Sequence, residues 1–275
     1  MRVWFNTIML IDYHIHTKAS FDCFESATAM CEAALKRGLS AVAFTDHIDI
    51  LPAHPFDWQT DLEAAFHDID QAVARFGDML DIVRGIEIGQ PQFNVSQAQL
   101  LHDRFKVDFI IASIHYLDPD YDMGMSGVAD RDPHELFETY LEMVRQMATD
   151  ADYDVLGHLT YPWRYFKRER DYDFQAEDFT DQFIDIFDIV ISRGKGIEVN
   201  TSGLRQALAE TLPNEQILRL YRSRGGELIT IGSDAHTPAH VGGGVAEATE
   251  MVARIGFSVV ATFRDRVATI HPLGR

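Results

Sequence analysis

The chain has 275 residues and a mass of 31.2 kDa; its hydrophobic fraction of 46% and its 18 phenylalanines suffice for one large α/β barrel or two small domains. Against 24 Lys+Arg stand 43 Asp+Glu, a net charge of −19; a field of that sign disfavours nucleic acid and anionic membrane surfaces as partners. Its 2 cysteines, Cys23 and Cys31, exclude a disulfide framework and read as reduced thiols of a cytoplasmic protein.

The opening MRVWFNTIML is apolar but short, with Asn6 inside it and no small-residue cleavage site, so it is not read as a signal peptide. Residues 1–8 read either as an extension or as the product of a start codon placed upstream of Met9. A strand is predicted over 9–14, then a helix over 27–37 capped by Ser26 and ended by Gly38. A strand over 40–44 precedes a helix over 61–76, with Thr60 as its cap and Gly77 as its end. Strands follow over 81–88 and 107–114, a helix over 133–149, a strand over 153–156, and a helix over 178–192 ended by Gly194. The series closes with a strand over 196–199, a helix over 215–224, a strand over 227–231, a helix over 245–255 and a tail with some strand character. Strands alternating with helices imply parallel β-strands joined by crossovers. With no linker or composition break, a single closed or nearly closed barrel over 1–275 is favoured over an open doubly wound sheet.

The histidines and acids fall at the ends of these strands. His14 and His16 end the first as HIH, Asp46 and His47 the second as TDH, and Glu87 lies near the end of the third in GIEIG. His115 ends the fourth as SIH, His158 the fifth as GHLT, and Asp234 and His236 follow the seventh in GSDAH. In a parallel barrel those ends converge on one face, where active sites are built. Imidazole and carboxylate suit zinc, iron or manganese, and an H-x-H pair on a strand points both rings the same way. Water activated by such ions is a competent nucleophile at neutral pH. Any one of these histidines alone reads as an ordinary hydrogen-bonded residue; the constellation does not. His67, His102 and His134, on helical stretches, and His54, His240 and His271, in loops or the tail, are read as outside the site.

In this order and spacing, HIHT, TDH, GIEIG, SIH, GH and SDAH resemble the PHP (polymerase and histidinol phosphatase) superfamily, from residue 12 to the C-terminus. The resemblance implies a distorted (β/α)7, TIM-like barrel with three divalent metal ions. One ion would take His14, His16, Glu87 and Asp234; a second would share Glu87 and add His115 and His158; the third would take His47, His236 and Asp22. Asp22, where many members carry histidine, together with NTSGLR (200–205) and the closing FRDRVATIHPL, resembles the histidinol-phosphatase branch. That branch implies hydrolysis of L-histidinol phosphate in histidine biosynthesis, with Arg205 and Arg164 on the phosphate and Asp234, His236 and Glu87 in the chemistry. Another PHP phosphoesterase acting on nucleotides or small esters is the alternative; a polymerase-associated module and a C–N hydrolase fit less well. Glu25 or Asp57 is a candidate for the substrate amine. Oligomeric state is not legible.

Overall fold

The computed structural model describes residues 9–51 and 58–273. Along the chain run β1 (Ile11–Ile15), α1 (Ala27–Lys36), β2 (Ala41–Asp49), α2 (Trp58–Phe76), β3 (Asp81–Gly89), α3 (Val95–Arg104) and β4 (Phe109–Ser113). A small hairpin of β5 (Tyr116–Asp118) and β6 (Tyr121–Asp122) leads into α4 (Met123–Ser126) and α5 (Pro133–Asp150). Then come β7 (Val155–Leu156), α6 (Trp163–Arg170), α7 (Thr180–Ser192), β8 (Gly196–Asn200), α8 (Glu215–Ser223), β9 (Ile229–Gly232) and α9 (Val245–Ile255), and finally β10 (Val259–Arg264) and β11 (Val267–Pro272).

The 7-stranded sheet has the order β1-β2-β3-β4-β7-β8-β9, all neighbours parallel. Its strands are buried on both faces, one turned to the interior and one to the helices, which explains why they read as short apolar runs. The sheet curls almost shut into the expected barrel. The seam between β9 and β1 carries no ladder: an isolated parallel bridge joins Ile15 and Ala235, with His16 N–H donating to the Ala235 carbonyl at 3.0 Å and Asp234 N–H to that of His14 at 2.8 Å.

Several helix boundaries follow from capping. The Ser26 side chain accepts from Ala29 N–H at 3.2 Å, and Asp132, with Pro133 next, accepts from Glu135 N–H at 3.0 Å. Gly38 and Gly194 terminate their helices at φ 71° and 65°, in the left-handed region that glycine enters without strain. Thr60 lies inside α2 rather than capping it. α3 and α6 were not anticipated: among the described side chains of the first only Ala98 and Leu101 are buried, and the second opens on the aromatic run Trp163, Tyr165 and Phe166, where the helical period is obscured.

The tail does not extend the barrel. β10 and β11 pair with each other through a two-residue turn at Asp265 and Arg266, both left-handed (φ 50° and 64°), the geometry that suits a tight hairpin. The hairpin stops the N-terminal mouth. Phe263 packs on Phe109 at 4.9 Å between ring centres, and its N–H donates to the Tyr13 hydroxyl at 3.0 Å. Arg264 pairs with Asp108 at 2.9 Å and Asp81 at 2.6 Å, and Arg266 with Asp154 at 2.6 Å. These acids stand at the starts of β4, β3 and β7, so the plug is riveted to the barrel floor. Phe263→Ala is expected to lower unfolding free energy by about 3–5 kcal/mol, as for other buried aromatic truncations. Denaturant unfolding checks this; a loss under about 1 kcal/mol would mean the hairpin is not part of the cooperative core.

Candidate metal centre

At the opposite mouth, β3 delivers Glu87 with its side chain fully buried. Direct pairing of His47 with Glu87 in the β2–β3 register puts both side chains on one face, with His47 Nδ1 at 2.9 Å from Oε2. The same oxygen faces His14 Nε2 at 3.1 Å and His16 Nε2 at 3.6 Å. Oε1 faces His158 Nε2 at 2.8 Å and His115 Nε2 at 3.2 Å, and accepts the Ser113 hydroxyl at 2.6 Å. Asp234 Oδ1 lies 3.6 Å from His16 Nε2 and 3.5 Å from His236 Nδ1. Asp22 closes the rim, 3.1 Å from His236 Nε2 and 3.8 Å from His47 Nε2. Every residue anticipated as a ligand is therefore in one cluster, at the C-terminal strand ends. The donor atoms form overlapping groups: His14–His16–Glu87, His47–Glu87–His115 and His16–His47–His236. His16 and His47 thus stand between neighbouring positions, each within reach of two of these groups.

The donor set fits divalent metal. His16 Nε2, His47 Nδ1 and His236 Nε2 are buried without hydrogen-bond partners, although a carboxylate oxygen is near each. Bonds of about 2.0–2.2 Å to one ion would leave adjacent ligand atoms roughly 3.0–3.5 Å apart, close to several of the separations here. Electrostatics agree. Burial opposes ionisation of Glu87, yet His14, His47 and His115 outweigh it and hold the carboxyl well below its usual range. Asp234 is likewise held down against burial, by His16, His14, His236 and Arg164. Burial, with His236 and His47 nearby, keeps His16 well below its ordinary value and so neutral, the form that ligates.

Partners behind the ligands orient them, and several were not foreseen. Glu198 Oε1 takes His14 Nδ1–H at 2.6 Å, and its Oε2 accepts His158 N–H at 2.9 Å. Asp49 Oδ1 lies 3.1 Å from His115 Nδ1. The Ser20 hydroxyl donates to Asp46 at 2.7 Å and sits 3.0 Å from His16 Nδ1, which makes that nitrogen the donor and leaves Nε2 its lone pair. Period-two alternation carried a signal for Asp49, two residues after His47, and for Glu198, two before the inward Asn200. Crowding here explains two glycines: a Cβ at Gly89 would lie 1.9 Å from Asp49 Oδ1, and one at Gly232 would lie 2.4 Å from His14 Cβ.

The two arginines differ. Arg164, on α6, lines the metal cleft: its guanidinium is 3.6 Å from Asp234 Oδ2, 3.3 Å from the Ser202 hydroxyl and 4.0 Å over the Tyr161 ring. Arg205 donates to the Ser233 and Asp234 carbonyls at 2.6 and 2.8 Å, bracing Asp234 in its left-handed conformation (φ 54°). Together they line an adjoining cavity of about 320 Å³. Glu25 lines neither this cavity nor the cleft, and Asp57 lies outside the described residues. His134 is exposed, as expected, and so is His240, which lies near the site in sequence.

Protein purified from metal-supplemented medium is expected to carry stoichiometric transition metal, and Glu87→Ala to remove most of it, by elemental analysis. Ser20→Ala should keep the fold but weaken metal binding by about 10–100-fold in chelator competition. Wild-type affinity in Ser20→Ala would show that the hydroxyl does not orient His16.

The PHP domain family model matches residues 12–202. A probable histidinol-phosphatase of Deinococcus radiodurans is 28% identical over 268 residues, spanning 94% of this chain and 97% of that protein. The histidinol-phosphatase of Lactococcus lactis is 26% identical over 267 residues, spanning 92% and 94%. The crystal structure of histidinol phosphate phosphatase from Lactococcus lactis, complexed with zinc, L-histidinol and phosphate, has a TM-score of 0.83 at 24% identity, over 96% of this chain and 100% of that one. Seven parallel strands, a strand-end cluster of imidazoles and carboxylates, and a family match across most of the chain agree: the protein belongs to the PHP family.

Proposed function

We propose that the protein hydrolyses L-histidinol phosphate to L-histidinol and phosphate, a phosphoric monoester hydrolysis serving histidine biosynthesis. The observation that carries this reading is a buried carboxylate ringed by imidazoles with two arginines beside it, in a chain similar over nearly its whole length to histidinol-phosphatases. We assign three divalent ions to the cluster, with zinc, iron and manganese all matching its ligands. When bound, such ions stabilise charge on a transferring phosphoryl group and activate water.

The chain's own groups do the rest. Arg164 neutralises phosphate oxygens turned away from the ions, as a planar guanidinium suits two-point contact. Arg205 contributes from the same wall while bracing Asp234. Asp234 and His236, at the mouth of the cleft, are the groups placed to move protons to and from the ester oxygen and water. Glu87 is a holding group rather than a proton carrier, because its carboxyl is fully buried and imidazoles face both of its oxygens. We take the whole chain as one PHP domain acting in the cytoplasm on a small phosphorylated substrate without nucleic acid. No described helix is long and apolar enough to cross a membrane.

Steady-state kinetics on L-histidinol phosphate, nucleoside monophosphates and sugar phosphates test the assignment. A preference for L-histidinol phosphate by kcat/KM is expected, and a nucleotide preference would overturn it. Arg164→Ala should lower kcat/KM by about 10–100-fold with metal content intact, the cost of losing a charge-assisted bond to a buried anion. Arg205→Ala should lose activity to a similar degree, with Arg205→Lys restoring only part. Wild-type kinetics in both alanine variants would remove the phosphate-side support for this function.

A further inference from the structure

Asp234 and His236 stand on a segment that no strand carries. β9 ends at Gly232 and α9 begins at Val245, and residues 233–242 run between them along the seam with β1. One carboxylate holds both ends of that segment. Asp12, on β1 and fully buried, accepts the Ser233 N–H on Oδ1 at 2.7 Å; its Oδ2 accepts the Ser233 hydroxyl at 2.5 Å and the Gly242 N–H at 2.6 Å. Strand alternation puts Asp12 on the same face as His14 and His16, one step below them.

We infer, on the metal-centre reading above, that Asp12 is the positioning residue of the Asp234–His236 segment. By tying both ends of the segment to β1, it sets Asp234 and His236 against His14 and His16, the ligands that β1 itself carries. Two features call for such a tie. The backbone of the seam meets only around the Ile15–Ala235 bridge, so below that point a side chain must keep β9 and β1 in register. Asp234 is also left-handed (φ 54°), a conformation that a residue other than glycine keeps only where its surroundings over-determine it. Those surroundings are the His14 carbonyl on its N–H, Arg205 on its carbonyl, and Asp12 on the residue before it. Arg37, just beyond α1, steadies the far half by donating to the Val241 carbonyl and, at 2.6 Å, to that of Ala239. An amide cannot stand in for the carboxylate. Whichever way an asparagine side chain lies at position 12, its NH2 faces a backbone N–H, that of Ser233 or that of Gly242, and one end of the segment is released.

The test measures zinc binding by chelator competition in wild type, Asp12→Asn, Ser233→Ala and, as a control, Phe263→Ala, which loosens the barrel at the opposite mouth. Circular dichroism and thermal unfolding check that each variant is folded at the temperature of measurement. In Asp12→Asn at least one zinc equivalent should bind about 10–100-fold more weakly, while the zinc held through His115 and His158 keeps its wild-type affinity. Ser233→Ala removes the hydroxyl and leaves both N–H donors. It should weaken the same equivalent by a smaller factor, and it decides the matter if Asp12→Asn does not fold. Phe263→Ala should lose stability with zinc affinity unchanged. Wild-type zinc affinity in folded Asp12→Asn, or in Ser233→Ala where Asp12→Asn does not fold, overturns the assignment. Uniform weakening of every equivalent, or an equal loss in Phe263→Ala, overturns it too, since either would mark a general loosening of the fold. A wild type that binds no zinc would instead refute the metal-centre reading on which the assignment rests.

Discussion

The structure turns on one buried anion. Glu87 is enclosed by His14, His16, His47, His115 and His158, and an isolated carboxylate in such surroundings would cost several kcal/mol in lost hydration, roughly. Its environment repays that cost only while imidazole donors or cations face both oxygens. The barrel is arranged to supply them. β2 pairs His47 opposite Glu87 in register, β1 brings two histidines by alternation, and β4 and β7 end two residues before theirs. The glycines at 89 and 232 clear room for the carboxylates behind the rings. Interactions far from the centre follow the same order: the floor plug rivets the starts of the strands whose ends carry the chemistry.

Much of this was legible before the fold was known, for a physical reason. A side chain at the C-terminal end of a barrel strand has a determined direction, so ligand-type residues at successive strand ends converge whatever lies between them. His14, His47, Glu87, His115, His158 and Asp234 obey that geometry. Asp22 belongs to a loop and was placed by resemblance alone, yet it arrives at the rim. What stayed hidden depends on packing. Alternation gives Glu198 its face on the strand but not its contact, because its partner His14 is 184 positions away. The TDH motif gives Asp46 no role of its own; only the contact to Ser20 shows how it reaches His16.

The tail and the arginines show the other limit. FRDRVATIHPL was read as a closing segment, and its two-residue turn makes it a plug instead of a barrel strand. Arg205 matched a phosphate-clamp position, but its guanidinium also carries two backbone carbonyls, a task invisible to any side-chain motif. Arg164, whose segment matched more loosely, lines the cleft itself. Position in a motif identifies which residues are near the chemistry. It does not divide the labour among them.

The weak seam has a consequence for how such a barrel is kept in being. β1 and β9 meet through an isolated bridge and a few backbone bonds, not a ladder, yet His14 and His16 stand on one lip and Asp234 and His236 on the other. An ion gripped from both lips would act as a stitch across the one unsewn edge of the cylinder. Ligand affinity and architectural integrity then draw on a common free energy, since binding to the closed form alone pulls the opening equilibrium with it.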